Sequence, residues 1–214
     1  MAILTPVPFN FQQKIRSELT EQYQLSYADI IPTVIHLRVS MQGTGAPAPG
    51  QAATVLPPAQ SDLFRIPGDY NLLVSEVRAH VALNSLSTES AVIGDGFTGM
   101  MSDASVRGRV IAKALNAKAT LFNADRNNLT FVENNLQNSS SGGALLSDLC
   151  LASIMPLAGG APLKLIDQGY VMPLVVPGNE RLQMQVTLRN AAASTGLTEY
   201  GLVLIGALVR SRTG

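Results

Sequence analysis

Charged side chains are scarce in this chain, with 15 basic and 15 acidic residues and a formal net charge of zero. They make up 14% of the sequence, against roughly 25% in ordinary soluble domains. A hydrophobic fraction of 46% excludes a disordered protein. Depletion of charge is typical of interface cores, so we expect an assembly-forming protein, with a low-charge monomer as the alternative. The balanced charge argues against a dedicated nucleic-acid-binding surface.

Cysteine and aromatic residues are also rare. The only cysteine, Cys150, cannot form an internal disulfide, and its position in an apolar run predicts a small buried hydrophobe. There is no tryptophan, and aromatic residues make up 5% of the chain. Sugar-binding sandwiches display aromatic rings that cover a sugar face, so this scarcity weakens a carbohydrate-binding interpretation without excluding it.

Patterns for export and membrane insertion are likewise missing. Residues 1–6 have neither the basic nor the long apolar region of a secretory signal, so we expect no signal peptide. The longest apolar stretch, Gly201–Val209, is far too short for a membrane helix. We therefore expect no membrane partner.

No catalytic, cofactor-binding or metal-ligating residues are predicted, and we expect the protein not to be an enzyme. His36 and His80 lie on polar faces of predicted strands, but no cysteine or carboxylate forms a ligand motif with them. Gly94–Gly99 matches the dinucleotide pattern G-x-G-x-x-G, yet Met100–Ser105 is a poor helix start, which favours a loop. There is no phosphate-binding lysine motif and no nucleophile elbow.

Residues 1–24 are predicted to form an extended arm followed by a short helix. Pro6 and Pro8 keep residues 1–10 extended. Residues 11–24 carry apolar side chains at every fourth position, typical of a helix lying on a sheet or on a neighbouring subunit. The predicted assembly interface combines apolar residues of this region with one loop residue: Ile3, Leu4, Val7, Phe9, Phe11, Ile15, Leu19 and Phe97.

Residues 25–214 are predicted to form one β-domain. Alternation over 33–42, over the second half of the region 70–83 and, most strictly, over 181–189 indicates half-buried strands. The nearly continuous apolar run 200–209 indicates a strand covered on both faces. A proline places the strand 170–176 at a sheet edge. Long loops are predicted at three places: 43–62, 84–105 and 133–143.

Residues 106–124 are ambiguous. Val106, Val110 and Ala114 have helical spacing, whereas Thr120–Phe122 is typical of a strand end, and we predict strands. Strands, long loops and one short helix together predict a mainly β protein. The expected architecture is an antiparallel β-sandwich, of which the jelly roll is one form.

The C-terminal region carries a proline-bearing strand, a Pro-Gly turn, an alternating strand ending in Asn, a small-residue loop and an apolar strand containing Gly. These features span Met172–Asn190 and Tyr200–Val209. In this it resembles β-sandwich structural proteins of bacteriophage capsids. The resemblance implies a virion protein assembled in the host cytoplasm, either a capsid cement or decoration protein or a small jelly-roll capsid subunit. Its partners would be copies of itself, as a trimer, and neighbouring capsid proteins; the alternative is a carbohydrate- or ligand-binding β-sandwich module.

Overall fold

A computed structural model describes most of the predicted β-domain. The described ranges are 30–43, 49, 55–83, 104–125, 144–165, 174–189 and 196–210. The predicted arm, the helix at 11–24, Phe97 and the loop 133–143 all lie outside these ranges.

Strands dominate the described residues. They are β1 (Ile30–Gly43), β2 (Ala59–Gln60), β3 (Phe64–Arg65), β4 (Tyr70–Leu83), β5 (Ala117–Asn123), β6 (Ala144–Cys150), β7 (Leu163–Lys164), β8 (Leu174–Val176), β9 (Arg181–Leu188) and β10 (Gly196–Arg210). One α-helix, α1 (Ala104–Leu115), precedes β5, and two short 3-10 helices, Leu151–Ile154 and Pro156–Ala158, follow β6.

The strands form two antiparallel five-stranded sheets. Sheet 1 has the order β1-β10-β4, and both β7 and β8 pair with the other edge of β4. Sheet 2 has the order β6-β5-β9, and both β2 and β3 pair with β9. The predicted mainly β class with antiparallel sheets is therefore confirmed, and the arrangement is consistent with a β-sandwich.

The main hydrophobic core contains residues of both sheets. The predicted inward face of β9 is confirmed, because Leu182, Met184, Val186 and Leu188 are all fully buried. Leu202, Leu204 and Leu208 of β10 belong to the same core, as expected. Each such side chain contributes about 1.5–3 kcal/mol when it is removed from water. Cys150 is half-buried rather than buried, and it packs against the edge of this core.

β10 is the central strand of sheet 1. It pairs with β1 from Gly196 to Val209 on one side and with β4 from Thr198 to Arg210 on the other. Its register with β4 shifts between Ile205 and Gly206. Ser75 fills this irregularity by donating a hydrogen bond from Oγ to the Ile205 carbonyl at 3.0 Å. Both faces of β10 carry buried apolar side chains, as the sequence predicts.

The strand prediction for 106–124 is wrong in its first half. Residues 104–115 form α1, which starts inside the predicted loop 84–105, and β5 begins at Ala117. Val110 and Ala114 lie one helical turn apart and are 1% and 0% exposed, so burial favours the helix. Asn116, the single linking residue, donates its side-chain amide to the Ala112 carbonyl at 2.8 Å and closes the last turn.

The predicted turn Pro177–Glu180 links β8 and β9, and its two central residues have different roles. Asn179 adopts a left-handed backbone with φ of 68°, a region that asparagine enters more readily than most residues. Gly178 is needed for close approach, since a Cβ atom there would overlap the Gly68 carbonyl oxygen. The turn thereby anchors the loop before β4. In the predicted loop 43–62, Val55 pairs with Arg189, and Ala59–Gln60 pair with β9.

Candidate functional site

Ionisable side chains from three strands meet on the outer face of sheet 1. Side chains alternate along a strand, and the pairing registers place the polar positions of β1, β10 and β4 on the face away from the core. We call this set the polar patch: His36, Arg38, Glu76, Arg78, His80 and Glu199. The sequence predicts the polar faces of β1 and β4 correctly, but it does not reveal that Glu199 lies between them.

Glu199 is the shared partner of the polar patch. Its Oε1 lies 3.5 Å from Arg38 Nη1 and 3.4 Å from His80 Nε2. Gly201 lies opposite both Arg38 and His80 in register, and a Cβ there would approach the Leu37 carbonyl oxygen to 2.9 Å. A second ion pair joins Glu76 to Arg78. Such partly exposed pairs contribute about 0–1 kcal/mol each, so the patch adds little to stability.

The two histidines share the outer face, but β10 runs between their strands. Burial, the nearby His80 and the Arg38 guanidinium lower the pKa of His36 below its usual 6.5, and Glu199 offsets part of this effect. The patch therefore favours a neutral His36. Within the described part of the chain, no three His, Cys, Asp or Glu side chains are grouped so that they could hold a metal ion.

A shallow cleft of about 200 Å³ adjoins the polar patch. It is lined by residues 36–40 of β1 together with Asp62 and Glu199. Ligand pockets usually enclose roughly 300–1,000 Å³ and have mainly apolar and aromatic walls. This cleft is smaller, and its lining contains no Phe, Tyr or Trp. Its geometry fits a small-molecule or sugar site poorly.

The other half of the same outer face is apolar. We call it the apolar patch: Ile30, Leu73, Ile205, Ala207 and Val209, bordered by the half-buried Val34, Val175 and Val203. It forms a cluster separate from the main core, and none of its five central residues is more than 8% exposed. The predicted two-sided burial of β10 indicates an apolar outer surface, but the sequence contains no pattern that gives this surface a role.

Two large apolar side chains are exposed at one end of sheet 2. Val55 is 65% exposed and Leu115 is 63% exposed. Both lie beside Arg189. Val55 pairs with Arg189, and the Arg189 amide donates a hydrogen bond to the carbonyl of Asn116, the residue after Leu115. We call Val55 and Leu115 the exposed pair. Sequence reasoning missed it, because Val55 lies in a predicted loop and Leu115 in a region interpreted as strand.

A polar junction joins the end of β5 to the start of β9. Arg181 Nε and Nη2 donate to Asp125 Oδ1 at 2.9 and 2.6 Å, and the Arg181 amide donates to Oδ2 at 2.7 Å. The Arg181 guanidinium thereby lowers the pKa of the Asp125 carboxyl. Beneath it, the Asn123 amide donates to the buried carboxylate of Glu180. These contacts connect neighbouring strands, so we interpret the junction as structural.

Other buried polar groups were not found from the sequence. Lys113 of α1 is 2% exposed. Tyr200 is fully buried in the core, and burial raises its pKa to about 12, so it stays protonated at neutral pH. The nearby Thr198 hydroxyl offsets part of this rise, although the two oxygens do not meet hydrogen-bond geometry. Neither hydroxyl has a hydrogen-bond partner in the described ranges.

All eight residues of the predicted assembly interface lie outside the described ranges, so their assignment stays a prediction. Comparison with known proteins finds no match to a family model, a curated protein or a solved structure. In the part of the chain that is described, no helix is long and apolar enough to cross a membrane. The geometry alone defines a mainly β protein with a half-polar, half-apolar outer sheet face.

Proposed function

We propose that this chain is a structural protein of a phage virion. It oligomerises as a trimer and binds, or forms part of, a capsid lattice that it stabilises. The observation that carries the proposal is the order in which the strands are arranged, together with the low charge of the chain. In this proposal, the function depends on surfaces that become buried against neighbouring subunits rather than on a catalytic site.

The strand order supports a jelly roll. β2 and β3 share one partner strand, as do β7 and β8, so each pair counts as one interrupted strand. The chain then has eight strands, which we number 1 to 8 in sequence order. Sheet 1 has the strand order 1-8-3-6, and sheet 2 has the order 2-7-4-5. The jelly roll is an eight-stranded fold of two Greek keys found in viral capsid proteins, lectins and cupins.

Among these classes of jelly-roll protein, the surface chemistry favours a capsid protein. A lectin needs rings that cover a sugar face, whereas the cleft beside β1 is small and lined by polar groups. The exposed pair provides apolar area that a neighbouring subunit can cover. We propose that it adds to the interface assigned to the arm and to Phe97.

A mass measurement in solution tests this proposal. An obligate interface buries well over about 2,000 Å² in total, so the oligomer should persist at micromolar concentration. Light scattering behind a sizing column should give three times the chain mass of 22.6 kDa. A stable monomer at that concentration would contradict the proposal.

Substitution of the exposed pair locates the interface. The double variant Val55→Ser and Leu115→Ser should shift the mass towards the monomer, because subunit contact no longer removes these side chains from water. Since both residues are already exposed within the chain, the urea midpoint of the dissociated chain should change little. Asp69→Ser, at another exposed position, is the matched control and should leave the mass unchanged.

A further inference from the structure

Two exposed cations lie close together on the outer face of sheet 2. Lys118 of β5 pairs with Thr187 of β9, and Arg189 is two residues further along the chain. Residues two positions apart on a strand share a face, so Lys118 and Arg189 are diagonal neighbours with Cα atoms roughly 7–8 Å apart. Both are exposed, and neither forms an ion pair among the described residues. An acidic group from another molecule would relieve their mutual repulsion.

The exposed pair borders these two cations. Val55 lies directly opposite Arg189, so their side chains share the outer face of sheet 2. Leu115 precedes Asn116, whose carbonyl accepts a hydrogen bond from the Arg189 amide at 2.9 Å. We call Val55, Leu115, Lys118 and Arg189 together the basic corner. Exposed apolar area beside unpaired positive charge fits a protein surface that carries a carboxylate.

A carboxylate at the β6 edge of sheet 2 has the complementary charge. Asp148 is exposed, and its side chain forms no ion pair or hydrogen bond among the described residues. β6 has one residue more than β5 between the pairs Ala119–Leu149 and Leu121–Leu146, so Asp148 belongs to a β-bulge. Its φ of 51° lies in the left-handed region. Bulges redirect side chains and hinder backbone pairing at a sheet edge, so contact at this edge is made by side chains such as Asp148.

Asp148 and Arg189 do not meet within one chain. β5 runs between their strands, which separates them by two strand spacings, roughly 10 Å. The Arg189 amide bonds to Asn116, whereas the Asp148 amide donates to the Thr120 hydroxyl, four residues further along. Four residues of strand measure roughly 13 Å, so the two backbones lie roughly 16 Å apart. An ion pair between Asp148 and Arg189 therefore needs two copies of the chain.

We propose that the basic corner of one subunit docks on the Asp148 edge of the next subunit, with Arg189 of one copy paired to Asp148 of the other. This inference rests on the proposed trimer and specifies its contact. The two surfaces differ and lie towards opposite edges of sheet 2, so the contact is head-to-tail, the kind that closes into a ring. The half-buried Leu149 and Cys150 beside Asp148 provide apolar area for the exposed pair.

Removal of either charge tests the contact. Asp148→Asn keeps a residue that tolerates the left-handed backbone, and Arg189→Gln removes the opposite charge. Each variant should raise the dissociation constant of the oligomer at least about tenfold, measured by light scattering over a dilution series, while far-ultraviolet circular dichroism stays unchanged. Arg210→Gln, at an exposed arginine that ends β10, is the matched control and should leave the constant unchanged. An unchanged constant for Asp148→Asn would overturn the proposal.

Exchange of the two charges tests whether the residues meet. Asp148→Arg and Arg189→Asp should each shift the mass towards the monomer. Both substitutions in one chain should restore the trimer, because every contact then again joins one charge of each sign. Failure of the combined variant to restore the mass would contradict this pairing. A monomeric parent protein would contradict the trimer itself, whereas a trimer that persists in Asp148→Asn contradicts this contact alone.

Crosslinking distinguishes a head-to-tail contact from a symmetric one. The native Cys150 lies two residues from Asp148 and marks one surface. A chain with Val55→Cys and Cys150→Ser marks the other. After subunit exchange, a short bifunctional maleimide should give covalent dimers from the mixture of the two chains and none from either chain alone. Dimers formed by either chain alone would show a symmetric contact and overturn the proposal.

Discussion

At the scale of single residues, strand pairing around Glu199 determines the geometry of the polar patch. Arg38 and His80 lie on either side of Gly201, and both reach Glu199, two residues earlier in β10. The sequence marks His36 and His80 as polar positions, but a pattern of alternation contains no information about which strand lies between them. Glu199 is far from both in sequence, and only strand pairing brings the three together. The members of the patch could be predicted in part, and their contacts could not.

The lowered pKa of His36 predicts a pH-dependent stability. Its ordinary pKa of 6.5 applies to the unfolded chain, so that chain binds the proton first as the pH falls. Protonation therefore favours unfolding, and His36 should make the urea midpoint decrease between about pH 7 and pH 5. His36→Gln should flatten part of this decrease. An unchanged pH slope in urea unfolding of the variant would show that His36 does not contribute.

At the scale of elements, the strands were predictable and the helix α1 was not. β9 and β10 follow simple patterns, because one alternates strictly and the other is apolar on both faces. Residues 104–115 combine alanine, which favours helix, with β-branched valine and isoleucine, which favour strand. The spacing of Val110 and Ala114 was the correct signal. It was outweighed by the strand pattern of β5, which starts only two residues after α1 ends.

Two glycines in different elements should respond to alanine in opposite ways. Gly108 lies in α1, and a Cβ there would have nothing within 4 Å. Gly108→Ala should raise the free energy of unfolding by about 0.5–1 kcal/mol, because alanine loses less backbone entropy in a helix. Gly206→Ala should destabilise the protein, since its Cβ would overlap the Leu73 carbonyl oxygen. Urea unfolding of both variants measures these changes. A change in the free energy of unfolding with the same sign in both variants would contradict the described backbone conformation of α1 or β10.

At the scale of the whole molecule, the class of the fold follows from the sequence, but the sheet order does not. Low charge, long loops and alternating strands predict a mainly β chain. The pairing of β1 with β10 joins positions such as Ile30 and Val209 that no local pattern connects. The apolar patch is also a property of the assembled sheet, because its five residues come from three strands, β1, β4 and β10.

Removal of the arm, residues 1–10, tests whether its apolar side chains pack on neighbouring subunits or on their own domain. Deleting residues 2–10 should reduce the oligomeric mass while leaving the urea midpoint of the dissociated chain unchanged, because the arm is proposed to pack on neighbours. A full-length control with Ile3, Leu4, Val7 and Phe9 changed to Ser separates lost apolar contacts from lost length. If the truncated chain unfolds, the arm instead belongs to the core of its own domain.

The central position of β10 has a consequence for how the protein is made. β1 and β4 are translated long before their common neighbour, and at about 5–20 residues per second the ribosome needs on the order of ten seconds to deliver the intervening chain. Until then, β1 and the facing edge of β4 remain unpaired, and unpaired edges are templates for pairing with other chains. Sheet completion is thus a late, non-local event, and such topologies fold slowly. The nascent chain should therefore depend on chaperones until β10 has been translated and pairs with β1 and β4.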